Sequence, residues 1–241
     1  MKQIKKVILT FMVFVLCSGS VWAADFDLTG VVQPEFNQLV TEAGRLTAYR
    51  SMMPAEPGGL TGFDIGLAIT GVEVNEGLWT KYNVDTDVVA VPRLMVQKGL
   101  PAGIDIGAFY AEVSDYDLSM EGAQIQWALL EGTAATPALA LRGSYAKLDA
   151  AGEMEVKTMA ADIVVSKGVA MLTPYAGLGT VSYEGEYTGS NAGLQALLSD
   201  YDDNETRIFG GVQFAVALLN ITAEYEQMDE PVYSVKMSLG W

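Results

Sequence analysis

The chain has 241 residues, with 14 lysines and arginines against 30 aspartates and glutamates, one cysteine and no histidine. A formal net charge of −16 opposes nucleic acid and anionic surfaces at long range. Without histidine there is no Ser-His-Asp or Cys-His nucleophile, and a lone cysteine leaves zinc without its usual ligands.

Lys2, Lys5 and Lys6 form a basic start, and Val7 to Leu16 is a largely apolar run. Small or apolar residues follow, up to Ala23 and Ala24. This order predicts a secretory signal peptide over residues 1–23. Its apolar core is too short to span a bilayer, which takes roughly 20 residues. A lipid-anchor cysteine wants a small residue before it, and Leu16 precedes Cys17. Loss of three lysines takes the net charge from −16 to −19 and removes the only cysteine, so the remaining chain forms no disulfide.

Residues 24–59 read as an N-terminal segment built on one amphipathic helix, Gln33–Arg50. Phe36, Leu39, Val40, Ala43 and Leu46 share one side of it, and Pro34 suits its first turn. Pro54, Pro57, Gly58 and Gly59 then break the chain. The apolar face predicts cover at the periplasmic mouth of a barrel or as a partial plug, with a free extension as the alternative.

Residues 60–241 carry ten alternating segments: 62–74, 87–97, 103–113, 118–130, 138–148, 154–166, 173–183, 206–218, 220–227 and 232–241. Most match the ~9–11 residues of a tilted membrane strand or run slightly longer. Half of the chain is apolar, yet the apolar residues are dispersed by alternation. In a bilayer only helices and closed barrels satisfy the backbone. A soluble sandwich alternates too. The even strand number and the loop pattern favour a barrel: with both barrel ends in the periplasm, Asn75–Thr86 and Glu184–Glu205 are long outer loops, and Lys98–Ala102 and Lys167–Leu172 are short inner turns. The second and third outer loops are short, and the inner turn Glu131–Pro137 is long, against that pattern. The fold class is therefore all-β, an antiparallel transmembrane barrel of about ten strands with a short N-terminal helix.

Alternation assigns the faces. Asp64, Arg93, Asp105, Gln124, Gln126, Arg142, Asp162, Arg207, Gln213, Glu224, Glu226 and Lys236 face the lumen. Asp64, Glu224 and Glu226 are expected around Lys236, and Arg93, Asp105, Arg142 and Asp162 in a second group. The glycine-rich seventh strand gives no clear faces. On the last strand Tyr233, Val235, Met237, Leu239 and Trp241 face lipid. Trp241 suits the inner aromatic girdle, and Tyr110, Tyr145 and Tyr225 the outer one.

Signal peptide, ten alternating strands and a last strand ending on an aromatic resemble the bacterial outer-membrane β-barrel class. The stretch from Pro57 to Gly66 is similar to a motif of an uncharacterised family of such proteins, and no activity follows from it. The resemblance implies residence in the outer membrane, contact with its lipid, and insertion by the barrel-assembly machinery. That machinery reads a last strand like Tyr233, Val235, Met237, Leu239, Trp241, more often with a terminal phenylalanine.

Two chemical readings remain. The inward charges either fill a narrow barrel as a satisfied network or line a small polar pore; a carboxylate pair doing acid–base work is the remote third. Asp115, Asp117, Asp200, Asp202, Asp203 and Glu205 supply oxygen ligands for calcium, with the set from Asp200 to Glu205 the best candidate, against an acidic loop that is merely solvated. Asn191–Leu198 reads as a short loop helix with Leu194, Leu197 and Leu198 on one side, a binding lid or a self-packed cover. No cofactor is expected. The function reads as passive passage or binding of a small solute of unknown identity, or as a non-transporting barrel that presents loops or anchors the envelope. An enzyme is not expected.

Overall fold

A computed structural model describes residue 26 and residues 28–82, 87–113 and 117–241. The predicted signal peptide and Asp115 lie outside the described residues.

Helix α1 spans Gln33–Thr47. The strands are β1 (Phe63–Glu73), β2 (Val88–Leu100), β3 (Ile104–Val113), β4 (Leu118–Leu130), β5 (Ala138–Ala150), β6 (Met154–Ser166), β7 (Leu172–Tyr187), β8 (Tyr201–Val216), β9 (Leu219–Gln227) and β10 (Pro231–Gly240). Short helices α2 (Glu76–Lys81) and α3 (Ala192–Leu197) sit in the loops after β1 and β7. Every strand pairs antiparallel with its chain neighbours, and β1 pairs with β10, so the sheet is a closed ten-stranded barrel. The seam runs in register from Asp64 opposite Gly240 to Val72 opposite Val232. No described helix is long and apolar enough to cross a membrane.

Closure explains the alternation. One face of each strand points out and carries exposed Ile65, Leu67, Ile106, Ile125, Ile163, Ile208, Met237 and Leu239. The other face points in and is buried. Long β7 and β8 differ from expectation. The polar stretch from Glu184 to Glu205 reads as loop, yet β7 runs on to Tyr187 and β8 starts at Tyr201, with Gly185 paired to Tyr201. Above an apolar belt, outward-facing acids cost a strand nothing, so polarity there does not end pairing.

The interior is where the fold departs most from a simple barrel. Helix α1 lies in the lumen, with Phe36, Leu39, Val40, Ala43 and Leu46 fully buried. Their counterparts are inward residues of the barrel half near the long loops: Val72, Val91, Phe109, Met120, Leu148, Val156, Val181 and Tyr183. Glycines let the helix come close. A Cβ at Gly185 of β7 would lie 2.9 Å from the Cβ of Val40, and one at Gly44 would lie 2.4 Å from the Tyr183 ring. The inward positions of β7 are thus Tyr175, Gly177, Gly179, Val181, Tyr183 and Gly185.

Helix α1 ends at Thr47, three residues before the predicted Arg50. Arg93 of β2 takes its last carbonyls: Nη1 donates to Ala48 O at 3.0 Å and Nη2 to Leu46 O. A guanidinium beside the C-terminal carbonyls satisfies orphan acceptors and favours the helix dipole. Residues 48–59 then cross the rest of the lumen in irregular form and exit at the mouth where β1 begins.

Candidate functional site: the filled lumen and its vestibule

Polar wall residues of the second barrel half converge on residues 48–58. Arg50 of the segment pairs with Glu226 of β9 at 2.7 Å, both nearly fully buried. Arg207 of β8 pairs with Asp162 of β6 at 2.5 Å and donates to Tyr49 O at 3.1 Å. Arg142 of β5 donates to Gln126 Oε1 at 2.6 Å, to Met53 O at 2.5 Å and to Pro54 O at 3.0 Å. Ser51 receives Gln124 at 2.9 Å and Gln97 at 3.1 Å on its hydroxyl. Asp105 accepts from Gly58 N at 2.9 Å and from Gln126 at 3.1 Å. Ala55 N donates to Ser166 of β6 at 2.8 Å. An internal void of about 10 Å³ remains beside Tyr49, Arg50 and Gln124, room for about one water.

Of the predicted lumen residues, eleven are buried inside the barrel and Gln213 is half-buried near the terminal mouth. Their grouping differs from expectation. Lys236 pairs with Asp64 at 3.1 Å, but Glu224 accepts from Tyr175 at 2.6 Å and Glu226 belongs to Arg50. Of the expected second group, Asp105 and Arg142 are bridged by Gln126, whereas Arg93 goes to the end of α1 and Asp162 pairs with Arg207. Sequence reasoning paired wall with wall because it had no register for the segment. It missed Arg45 and Arg50, although two arginines flanking an apolar helical face were a signal for buried partners.

The acids from Asp200 to Glu205 do not converge on one point. Glu205 points into the lumen and holds Arg45 of α1 through Nε at 3.0 Å and through Nη2. Asp202 and Asp203 are consecutive strand residues and face opposite ways. Asp117 and Asp200 are exposed. In α3 only Leu194 is buried; Leu197 is exposed and Leu198 half-buried. The last strand presents Tyr233, Val235, Met237, Leu239 and Trp241 outward; Tyr233 meets Tyr225 with ring centroids 5.3 Å apart and Trp241 meets Phe63 at 5.2 Å, both pairs tilted.

Each mouth keeps an open recess. At the long-loop mouth a vestibule of about 600 Å³ is bordered by the polar side of α1 (Asn37, Gln38, Thr41, Glu42, Arg45) and by Glu73, Asn75, Tyr201 and Glu230. Glu42 is its most buried acid and is fully engaged: it accepts from Gln38, from Asn75 N at 3.1 Å and from the Trp79 indole. The rim is tied down by Lys81 and Tyr82, which donate to Glu35 at 2.6 Å each. Those two bonds, Lys81 first, hold the Glu35 carboxyl below its ordinary range. At the terminal mouth a recess of about 230 Å³ lies among Met53, Asp64, Gln97, Asp105 and Gln213.

A family model, described as that of a family of unknown function, matches residues 21–241. No curated protein matches by sequence. Among solved structures, the N-terminal β-barrel domain of Pseudomonas aeruginosa OprF matches at 11% identity, covering 76% of this chain and 99% of that one, with a TM-score of 0.35. The outer membrane protein OprG of the same organism matches at 13% identity over 78% and 99%, with a TM-score of 0.37. Ail, the attachment invasion locus protein of Yersinia pestis, in complex with the heparin analogue sucrose octasulfate, matches at 14% over 74% and 95%, with a TM-score of 0.30.

Proposed function

The chain belongs to that family, DUF6588, and from its architecture we propose an outer-membrane barrel that does not conduct, held shut by its own N-terminal segment and presenting a polar vestibule and loops on the outer face. Outer-membrane residence is supported by the apolar exterior, by the aromatic pairs at both strand ends and by the long loops gathered at one mouth.

The observation that carries the closed state is the apolar packing around α1. Burial of Phe36, Leu39, Val40 and Leu46 stabilises the filled lumen by roughly 6–12 kcal/mol at about 1.5–3 kcal/mol per large side chain. That rivals the ~5–15 kcal/mol stability of a whole domain. A plug that leaves at such a cost does not serve as a thermal gate. The inward carboxylates are already engaged by arginine, lysine, tyrosine, amide or backbone donors, and the chain has no histidine, so the reading includes no catalytic step.

Planar-bilayer recording tests the proposal. The full chain is expected to give no steady current at moderate voltage. A stable ohmic conductance from the purified, correctly closed barrel would overturn it in favour of passage.

A further inference from the structure

We infer that residues 26–59 form a strap laid on the open sheet β2–β9 before the β1–β10 seam closes around it, so that the folded chain is threaded through its own barrel.

The two ends of the strap lie at opposite mouths. Phe26 packs on Trp79 of α2 with ring centroids 6.5 Å apart, Gln33 exchanges hydrogen bonds with Ser199, and Glu35 holds Lys81 and Tyr82. All of these partners belong to the long loops. At the other end Gly58 meets Asp105, and Leu60 O receives Lys98. There the chain turns directly into β1.

The buried polar bonds divide the wall into two sets. The strap reaches β2 through Arg93, β3 through Asp105, β4 through Gln124, β5 through Arg142, β6 through Ser166, β8 through Glu205 and Arg207, and β9 through Glu226. On β7 it packs against Gly185. The seam strands use their buried polar groups on each other instead. Lys236 and Ser238 of β10 donate to Asp64 of β1 at 3.1 and 2.6 Å, and Thr70 bonds Ser234 at 3.1 Å. A sheet from β2 to β9 thus has strap partners before closure, and the seam carries its own staple.

The reverse order is the costly one. A barrel closed first would hold Val72, Val91, Met120, Leu148 and Val156 against a lumen of water until the strap arrived, which is unfavourable for apolar side chains. The strap would then have to pass Phe26 and the bulky face of α1 end-on through one mouth, along the apolar wall against which that face finally packs.

Two measurements test the inference, and the first does not depend on which mouth faces outward. Single cysteines are placed at exposed Val32, Leu60 and Leu197, and an impermeant thiol reagent is applied to intact and then permeabilised cells, with the parent chain as blank. Val32→Cys is expected to react from the same side as Leu197→Cys, and Leu60→Cys from the opposite side. Val32 grouping with Leu60, or all three reacting from one side, overturns the threading. Shielding of Leu197 in intact cells would instead sink the proposed orientation, while the grouping still decides the strap. The second measurement fixes the order: buried Ala43→Cys is pulse-labelled during refolding into detergent, and the closed barrel is separated by its unboiled gel mobility. The closed band is expected to be protected from its first appearance. A closed band that still labels early means the strap enters afterwards and overturns the order. Ser51→Cys, also buried, gives the same readout if Ala43→Cys does not fold.

Discussion

At the scale of single residues, the Arg50–Glu226 pair is the sharpest test of how the strap is held. Both side chains are almost fully buried, and the guanidinium has its main acceptor in that carboxylate. Removing one member of such a pair leaves a charge uncompensated, at about 3–5 kcal/mol, whereas replacing both with apolar groups of similar volume is often near neutral. Glu226→Ala is therefore expected to lower the unfolding midpoint strongly. The double variant Arg50→Met with Glu226→Leu is expected to recover most of the loss, read from denaturant titrations of the refolded protein. The rim pair Glu35–Lys81 behaves differently because it is partly exposed, with a contribution of about 0–1 kcal/mol. The folded carboxyl has a lowered pKa, so its stabilisation is present above the unfolded value and is lost as pH falls through the folded value. On acidification below the ordinary carboxylate range, the protection of α2 amides against exchange, taken relative to their intrinsic rates at each pH, is expected to fall. Glu35→Gln should show the lower protection already at neutral pH and little further acid response in it. An unchanged acid response in that variant would assign the effect elsewhere.

At the scale of elements, α1 and β7 explain one another. Apolar spacing and Pro34 make the helix legible in sequence, but its end is not, since Arg93, distant in the chain, takes the carbonyls of Leu46 and Ala48. The faces of β7 were illegible for a related reason. Gly177, Gly179 and Gly185 point inward, so the face that should have carried the pattern has no side chains there, and the reason for their smallness lies in Phe209, Asp162 and Val40. This gives a paired prediction. Gly185→Ala places a Cβ 2.9 Å from the Val40 Cβ and 2.3 Å from one of its methyls, an overpacking expected to cost about 1–3 kcal/mol. Val40→Ala in the same chain takes away the two methyls at 2.3 and 2.4 Å but keeps the Cβ at 2.9 Å, so it should restore part of the loss, although Val40→Ala alone is destabilising. Gly143 on β5 is the control, since a Cβ there meets nothing nearer than 3.9 Å. Denaturation midpoints that drop equally for Gly143→Ala and Gly185→Ala would refute close helix–strand packing as the cause.

At the scale of the molecule, the rule of apolar outside and polar inside holds for half the barrel only. Near the terminal mouth the inward residues are Asp64, Asp105, Gln126, Arg142 and Lys236, and alternation found them. Toward the long loops the inward residues are Val72, Val91, Met120, Leu148 and Val156, which a lumen filled with water would disfavour but a lumen filled by α1 requires. Strand periodicity alone cannot register that difference, because it depends on a segment that precedes the sheet in the chain. The exterior has no such second tenant, and it decides whether the barrel sits in lipid. Leu67 lies at the middle of β1 with its side chain outward and is two-thirds exposed, whereas Tyr110 lies toward the long-loop end of β3. In a bilayer an arginine at mid-depth costs about 2–4 kcal/mol and one near the interface about 0–1 kcal/mol. Leu67→Arg is thus expected to destabilise the protein refolded in lipid vesicles far more than Tyr110→Arg. A barrel with water on its outer face would gain or lose little at either position, because relieving an exposed leucine carries no penalty there, and equal, small effects in vesicles would place the apolar belt outside the membrane.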